Sequence, residues 1–360
     1  MKRKNFLFLI VLIFVLGTTS GCLNINVAKP KANSGIFKSV NRAESWQQKV
    51  GLLVLSTAKK DPKVITDLDA VDVSAVVLDP QDSNTLYLGT NGSGLFVSYD
   101  NAETWQKYSK LPSGKINAIA VHPKLKNAVY TAIGNRIFKS LDCCRSWENV
   151  YLEAAGGVQI NALAIDPEAG TRIYAGLSDG RLIKSEDDGL SWLTFVDLKA
   201  GVKQILINPN NTQIIYATTS GQGIMRTEDK GVKWASLDES LKNFNGGRDV
   251  KKMIFDPRRA DGIITASNYG LLRSEDGGKT WVDYKLLPKQ GQASILSFAI
   301  NPQNPNNIYY ITSNTLQKSV DDGKTWVTKS LPSGQIPVEL LVDPNNPNIL
   351  YLGEVQKPKK

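Results

Sequence analysis

From Gly35 to the C-terminus, short apolar runs alternate with clusters of Gly, Pro, Asn, Asp and Ser. Runs such as VSAVVLD (73–79), TLYLGT (85–90) and GLFVS (94–98) are rich in β-branched and aromatic residues. They are too short for helices and predict strands, with turns at the polar breaks. No long segment of 3.6-residue period lies between them, so the crossover helices of a parallel sheet have no source.

The pattern recurs in phase. All seven tryptophans close an octapeptide: SVNRAESW (39–46), SYDNAETW (98–105), SLDCCRSW (140–147), SEDDGLSW (185–192), TEDKGVKW (227–234), SEDGGKTW (274–281) and SVDDGKTW (319–326). A second motif is an apolar run ending in Asp, Asn or His followed by Pro. It occurs at Asp79-Pro80, His122-Pro123, Asp166-Pro167, Asn208-Pro209, Asp256-Pro257, Asn301-Pro302 and Asp343-Pro344. Soon after most of these comes a strand with Tyr, as in TLYLGT; the fifth copy, GIITAS, lacks it. The distance from the X-Pro residue to the next octapeptide is 18 or 19 in every complete unit. Each unit therefore predicts four strands: the run before X-Pro, the Tyr strand, the strand entering the octapeptide, and one starting at Ser/Thr-Trp. Four short strands per roughly 45 residues, seven times over, predict an all-β, seven-bladed β-propeller. The chain opens with strands three and four (Gly35 to Gln48) and ends with strands one and two (Val338 to Gly353). Together these complete the seventh blade and remove two open sheet edges.

Composition agrees with a globular chain: 41% hydrophobic and 21% charged residues. One histidine, His122, excludes a multi-histidine metal site, and three cysteines exclude a disulfide-dense scaffold. The formal charge is +9, with three of the cations in the first four residues. Lys2, Arg3 and Lys4, the apolar run Phe6 to Leu16 and the small residues before Cys22 have the layout of an export signal. The segments expected are a signal peptide at 1–21, a polar tether at 22–34 and the propeller at 35–360. Gly21-Cys22 resembles a bacterial lipobox, although Thr19 stands where leucine is usual. The resemblance implies diacylglycerol on Cys22 and a protein held on the outer face of a bacterial membrane. The alternative is a secreted protein in which Cys22 is incidental.

The octapeptide resembles the Asp-box, or bacterial neuraminidase repeat, S-x-D-x-G-x-[ST]-W, in all seven units. Its Asp residues (Asp100, Asp142, Asp187, Asp229, Asp276, Asp321) are expected to bond backbone N–H groups of their own turns. Its tryptophans (Trp46, Trp105, Trp147, Trp192, Trp234, Trp281, Trp326) are expected to pack beside the hairpins. Ala43, Ala102 and Cys144 replace the Gly and Asn41 replaces the first Asp, so those turns are expected to differ in shape. Cys143 and Cys144 are adjacent; a strained disulfide and two free thiols are both open.

Asp-box propellers include sialidases, xyloglucanases, sortilin-type receptors and the photosystem II assembly-factor family. A sialidase needs an arginine cluster and an Arg-Ile-Pro-like motif; Arg136-Ile137-Phe138 and Arg172-Ile173-Tyr174 lack the proline. A xyloglucanase needs two opposed carboxylates, usually between two propellers. His122 sits at a repeat position filled elsewhere by Asp or Asn, which makes it structural. The resemblance is nearest to the photosystem II assembly-factor family. It implies a non-catalytic scaffold or assembly factor that needs neither cofactor nor metal. The alternatives are a divergent glycosidase and a glycan-binding surface protein.

Partners are expected where the inner strands begin, at one mouth of the channel, by analogy with other propellers. Five residues before each X-Pro residue stand Ser74, Asn117, Asn161, Lys203, Lys251, Leu296 and Val338, with Gln204, Lys252, Ser297 and Glu339 beside them. That ring predicts contact with a protein or an anionic polymer, or else a plain solvated rim. The 50–72 insertion, with LLVLS and three lysines, is the second candidate. Nucleic acid is not expected, because the chain is exported and its charge is spread out. The protein is expected to be a monomer, meeting the membrane through its lipid.

Overall fold

A computed structural model of the chain describes residues 33–358 apart from 55–62, 67, 109 and 293. The expected signal peptide, Cys22 and nearly all of the tether lie outside the described residues. Seven antiparallel four-stranded sheets follow one another around a ring. Their inner strands are Val73–Asp79, Ile116–Val121, Ile160–Ile165, Val202–Ile207, Val250–Phe255, Ser297–Ile300 and Ile336–Val342. We number blades 1 to 7 in that order. Each inner strand touches the next, and the seventh touches the first. The protein is a seven-bladed β-propeller.

Blade 7 is closed as its sequence predicts. Ile336–Val342 is innermost, Leu350–Val355 follows, and the N-terminal strands Ile36–Ser39 and Gln47–Gln48 complete the sheet. Ile36 pairs with Gly353 and Ser39 with Leu350. The outer strands begin just after each Trp rather than at Ser/Thr-Trp, as at Gln106–Tyr108 and Glu148–Leu152.

The octapeptide turns have one geometry. In the third blade Ser185 Oγ accepts the Gly189 N–H at 2.8 Å and donates to Asp187 Oδ1 at 2.7 Å. Asp187 also accepts Ser191 N–H and Oγ–H, at 2.9 and 2.6 Å. The departures from glycine do not change this shape, contrary to expectation. Ala43, Ala102 and Cys144 take φ of 64°, 65° and 69°, and each donates its N–H to the turn serine at 2.9 Å. Asn41 accepts the Ser45 N–H at 2.9 Å as an Asp does. A left-handed non-glycine residue costs about 1–2 kcal/mol, which several side-chain bonds per turn offset. Cys143 and Cys144 are both free.

His122 confirms the structural role of the X-Pro position. Its Nδ1 accepts the Lys124 and Leu125 N–H groups at 3.0 and 2.9 Å. Asp79 and Asp166 accept the Gln81 and Glu168 N–H groups in the same way. Burial holds the imidazole below its usual pKa, which suits an acceptor.

The second-strand tyrosines join blades. Tyr130 OH donates to Asp188 Oδ1 at 2.6 Å in the next blade's turn, and Lys139 Nζ meets Asp188 Oδ2 at 2.5 Å. In blade 5, which has Ile264 instead of Tyr, Arg258 and Arg273 both reach Asp322 of blade 6. Tyr174 is as buried as Tyr130, yet its OH has no partner. Tyr130→Phe is therefore expected to cost about 1–2 kcal/mol in urea unfolding, while Tyr174→Phe is neutral or stabilising. Equal losses from both would contradict this account of the tyrosines.

The 50–72 insertion contains a hairpin, Gly51–Val54 paired with Lys63–Thr66. Trp105 donates its N–H to Gly51 O at 2.8 Å and accepts from Leu53 N–H at 2.7 Å. The hairpin thus covers the outer edge of blade 1 there, and Trp105 is fully buried.

Candidate functional site

The ring of residues at the channel mouth has a common local cause. In six of the seven inner strands one residue is skipped by the pairing register. Val73 and Ala75 pair with Thr90 and Gly89, leaving Ser74 out, and the same shift leaves out Asn117, Asn161, Lys203, Lys251 and Val338. Each is a β-bulge, which breaks the ladder and re-aims a side chain. Blade 6 is the exception, and Leu296 precedes its strand.

These bulges meet in one cavity of about 410 Å³, lined by Ser74, Asn117, Asn161, Lys203, Gln204, Lys251, Lys252 and Glu339 among others. The structure therefore gathers every channel residue proposed from sequence. Short polar side chains stitch one half of the ring. Ser74 Oγ donates to Ile116 O at 2.7 Å, Asn117 Nδ2 to Ile160 O at 3.0 Å, and Asn161 Nδ2 to Val202 O at 3.3 Å. The series stops at Lys203. There Gln204 takes over, donating to Met253 O and accepting from Met253 N–H, both at 2.9 Å.

The other half is cationic. Lys252 is neutralised: its Nζ lies 2.5 Å from Glu339 Oε1 and also donates to Ser297 Oγ and Leu340 O, at 3.1 and 3.0 Å. Lys203 and Lys251 make no ion pair among the described residues. The Lys203 side chain is exposed at the cavity rim. Partial desolvation first, and then the Lys251 charge, hold its pKa below the usual lysine value, with Asp249 pulling the other way. An anion beside Lys203 and Lys251 would offset their mutual repulsion.

Among its described lining residues the cavity has no aromatic ring and one carboxylate, Glu339. No metal-ligating cluster occurs among the described residues. The octapeptide Asp and Trp residues lie away from the mouth, because the hairpins they form sit where the inner strands end. Sequence reasoning missed the bulges, which leave no motif. It also missed a second groove on the same face, near Lys115 and Arg136.

No family model matches the sequence. The chain is 28% identical over 166 residues to a probable oligoxyloglucan-reducing end-specific xyloglucanase of Neosartorya fischeri, covering 41% of this chain and 20% of that protein. It is 30% identical over 129 residues to a xyloglucanase of Hypocrea jecorina, covering 35% and 15%. The matched stretches thus span a fifth or less of these relatives. Among solved structures, the GH74 xyloglucanase from Xanthomonas campestris superposes with a TM-score of 0.63 at 18% identity, over 79% of this chain and 51% of that one. YCF48 bound to D1 peptide gives 0.62 at 15% identity, over 81% of this chain and 94% of that one. These likenesses place the chain among β-propellers, and at 15–18% identity the structural ones carry the fold alone. They also correct the expectation that the chain is not an enzyme, since its curated relatives point toward glycoside hydrolases. The sequence reading weighed only residues able to do chemistry, whereas this similarity extends along the repeat framework.

Proposed function

We propose that this propeller is an exported assembly or scaffold factor that binds an acidic polypeptide segment at its channel mouth. It is held to a bacterial membrane by lipid on Cys22, and its octapeptides are Asp-boxes. The observation that carries the reading is the pair Lys203 and Lys251. They stand on successive bulges without an ion pair among the described residues, in a cavity whose described lining offers hydrogen-bonding groups and no ring for a sugar to stack on. The likeness to YCF48 over nearly its whole length supports it, because that structure holds a peptide.

The expected result is that deca-glutamate binds the wild-type protein in calorimetry and that Lys203→Glu with Lys251→Glu weakens binding at least tenfold. Raising salt should weaken the wild-type complex too, as screening requires. Folding should hold, since surface changes usually stay within about 0.5 kcal/mol. Equal affinity for the charge-reversed protein would remove the channel mouth from the account.

A second reading is favoured by the curated relatives, which are xyloglucanases. It makes the chain a glycan-acting propeller. Hydrolysis by paired carboxylates then needs a second acid beside Glu339. Release of reducing sugar from xyloglucan oligosaccharides, abolished by Glu339→Gln, would establish that reading.

A further inference from the structure

The channel cavity is not isolated. A groove of about 340 Å³ opens beside it between the connection into blade 2 and the hairpin of its middle strands. Asn117 lines both. The groove carries Lys115 and Arg136, both exposed, with Ser113, Asn135 and Gln159 around them. Neither cation forms an ion pair among the described residues. The nearby acid is already committed. Glu153 is held by Arg181 at 2.9 Å, by Tyr151 OH at 2.9 Å and by the Ala155 N–H at 2.8 Å. Asn135 reaches only its backbone carbonyl, at 2.8 Å. Two separate pairs of cations without ion pairs among the described residues thus line two cavities that share Asn117.

We infer that the acidic segment lies extended across this face, one anionic group at Lys203 and Lys251 and a later one at Lys115 and Arg136. This rests on the peptide-binding reading proposed above and adds a second subsite to it. Among the described residues neither lining contains an aromatic ring, which favours an acidic polypeptide over a uronic-acid polymer. An extended chain advances about 3.3 Å per residue, so a tripeptide reaches about 10 Å and a decapeptide about 33 Å.

The test is calorimetry of the full chain with tri-glutamate and deca-glutamate at low salt. In wild type deca-glutamate should bind more than tenfold tighter than tri-glutamate. Lys115→Glu with Arg136→Glu should cut that ratio at least tenfold while tri-glutamate affinity changes less than about twofold. If the ratio persists in that variant, or wild type binds both peptides equally, the second subsite is overturned while the channel site stands. If neither peptide binds wild type, the peptide-binding reading fails as a whole. Tighter binding of deca-galacturonate than of deca-glutamate would overturn the assignment to a polypeptide.

Discussion

Deleting residues 336–360 is expected to abolish cooperative folding of the entire ring, not of one blade. The segment supplies the two inner strands of blade 7, against which the N-terminal strand Ile36–Ser39 pairs. Leu340, Leu350, Tyr351 and Leu352 are at most 1% exposed. They are shared between two cores. Tyr351 and Ile349 pack with Val73, Val76 and Leu86 of blade 1, while Leu340, Leu350 and Leu352 pack with Ala299, Tyr309 and Leu316 of blade 6. A buried side chain of this size contributes about 1.5–3 kcal/mol. Losing several exceeds much of the roughly 5–15 kcal/mol by which a domain is stable. Far-ultraviolet circular dichroism on heating reads the result. A truncated protein melting like the intact one would mean that closure contributes nothing.

Glu354→Gln is expected to stabilise the protein at neutral pH. Glu354 is fully buried in the second strand of blade 7, where its Oε1 accepts no hydrogen bond. In blades 1, 4 and 5 the equivalent Thr90, Thr219 and Ser267 donate to carbonyls across a hairpin, at 2.7, 3.1 and 3.2 Å. Blade 7 has no such hairpin, because its next strand comes from the start of the chain. Burial pushes the carboxyl from 4.5 up to about 7, against smaller opposing effects of the Ser333 hydroxyl and Lys357. The folded state therefore binds this proton more tightly than the unfolded chain. Stability should fall as pH rises from 4.5 to about 7 and level off above, by up to about 3 kcal/mol at 1.36 kcal/mol per unit. Glu354→Gln should abolish that slope. Denaturant midpoints at pH 4.5, 6 and 8 test it; parallel pH profiles for variant and wild type would refute it.

The fold was legible because two motifs recur in strict phase, and phase survives the divergence of single residues. Blade 7 was legible for the same reason: the half-units at the two ends are complementary. The channel ring was found by counting back from X-Pro, but its cause was hidden. A bulge shifts register by one residue, and Ser, Asn, Lys and Val all occupy it, so no residue type announces it. Lys115 falls in the connection into blade 2, where the sequence varies from blade to blade, and Arg136 opens a third strand at a position held by Arg, Gly or Thr elsewhere, so neither announces a site. Glu354 could have been found, since Thr90, Ile133, Leu177, Thr219, Ser267 and Thr312 hold its place in the other blades. An acid at a position otherwise uncharged is a signal when repeats are aligned with one another. The turns at Ala43, Ala102 and Cys144 kept their shape because side-chain bonds, not glycine alone, define it.

The central claim is that Lys203 and Lys251 await an anion, and the ammonium groups themselves can report it. Side-chain 15N NMR can follow the Lys203 titration in the free protein and with tri-glutamate added. Free Lys203 should titrate below the usual lysine value, because partial desolvation and the Lys251 charge both disfavour its ammonium. Bound peptide should move that titration upward, since a nearby carboxylate favours the charged form. A Lys203 titration left unmoved by saturating peptide would contradict the account.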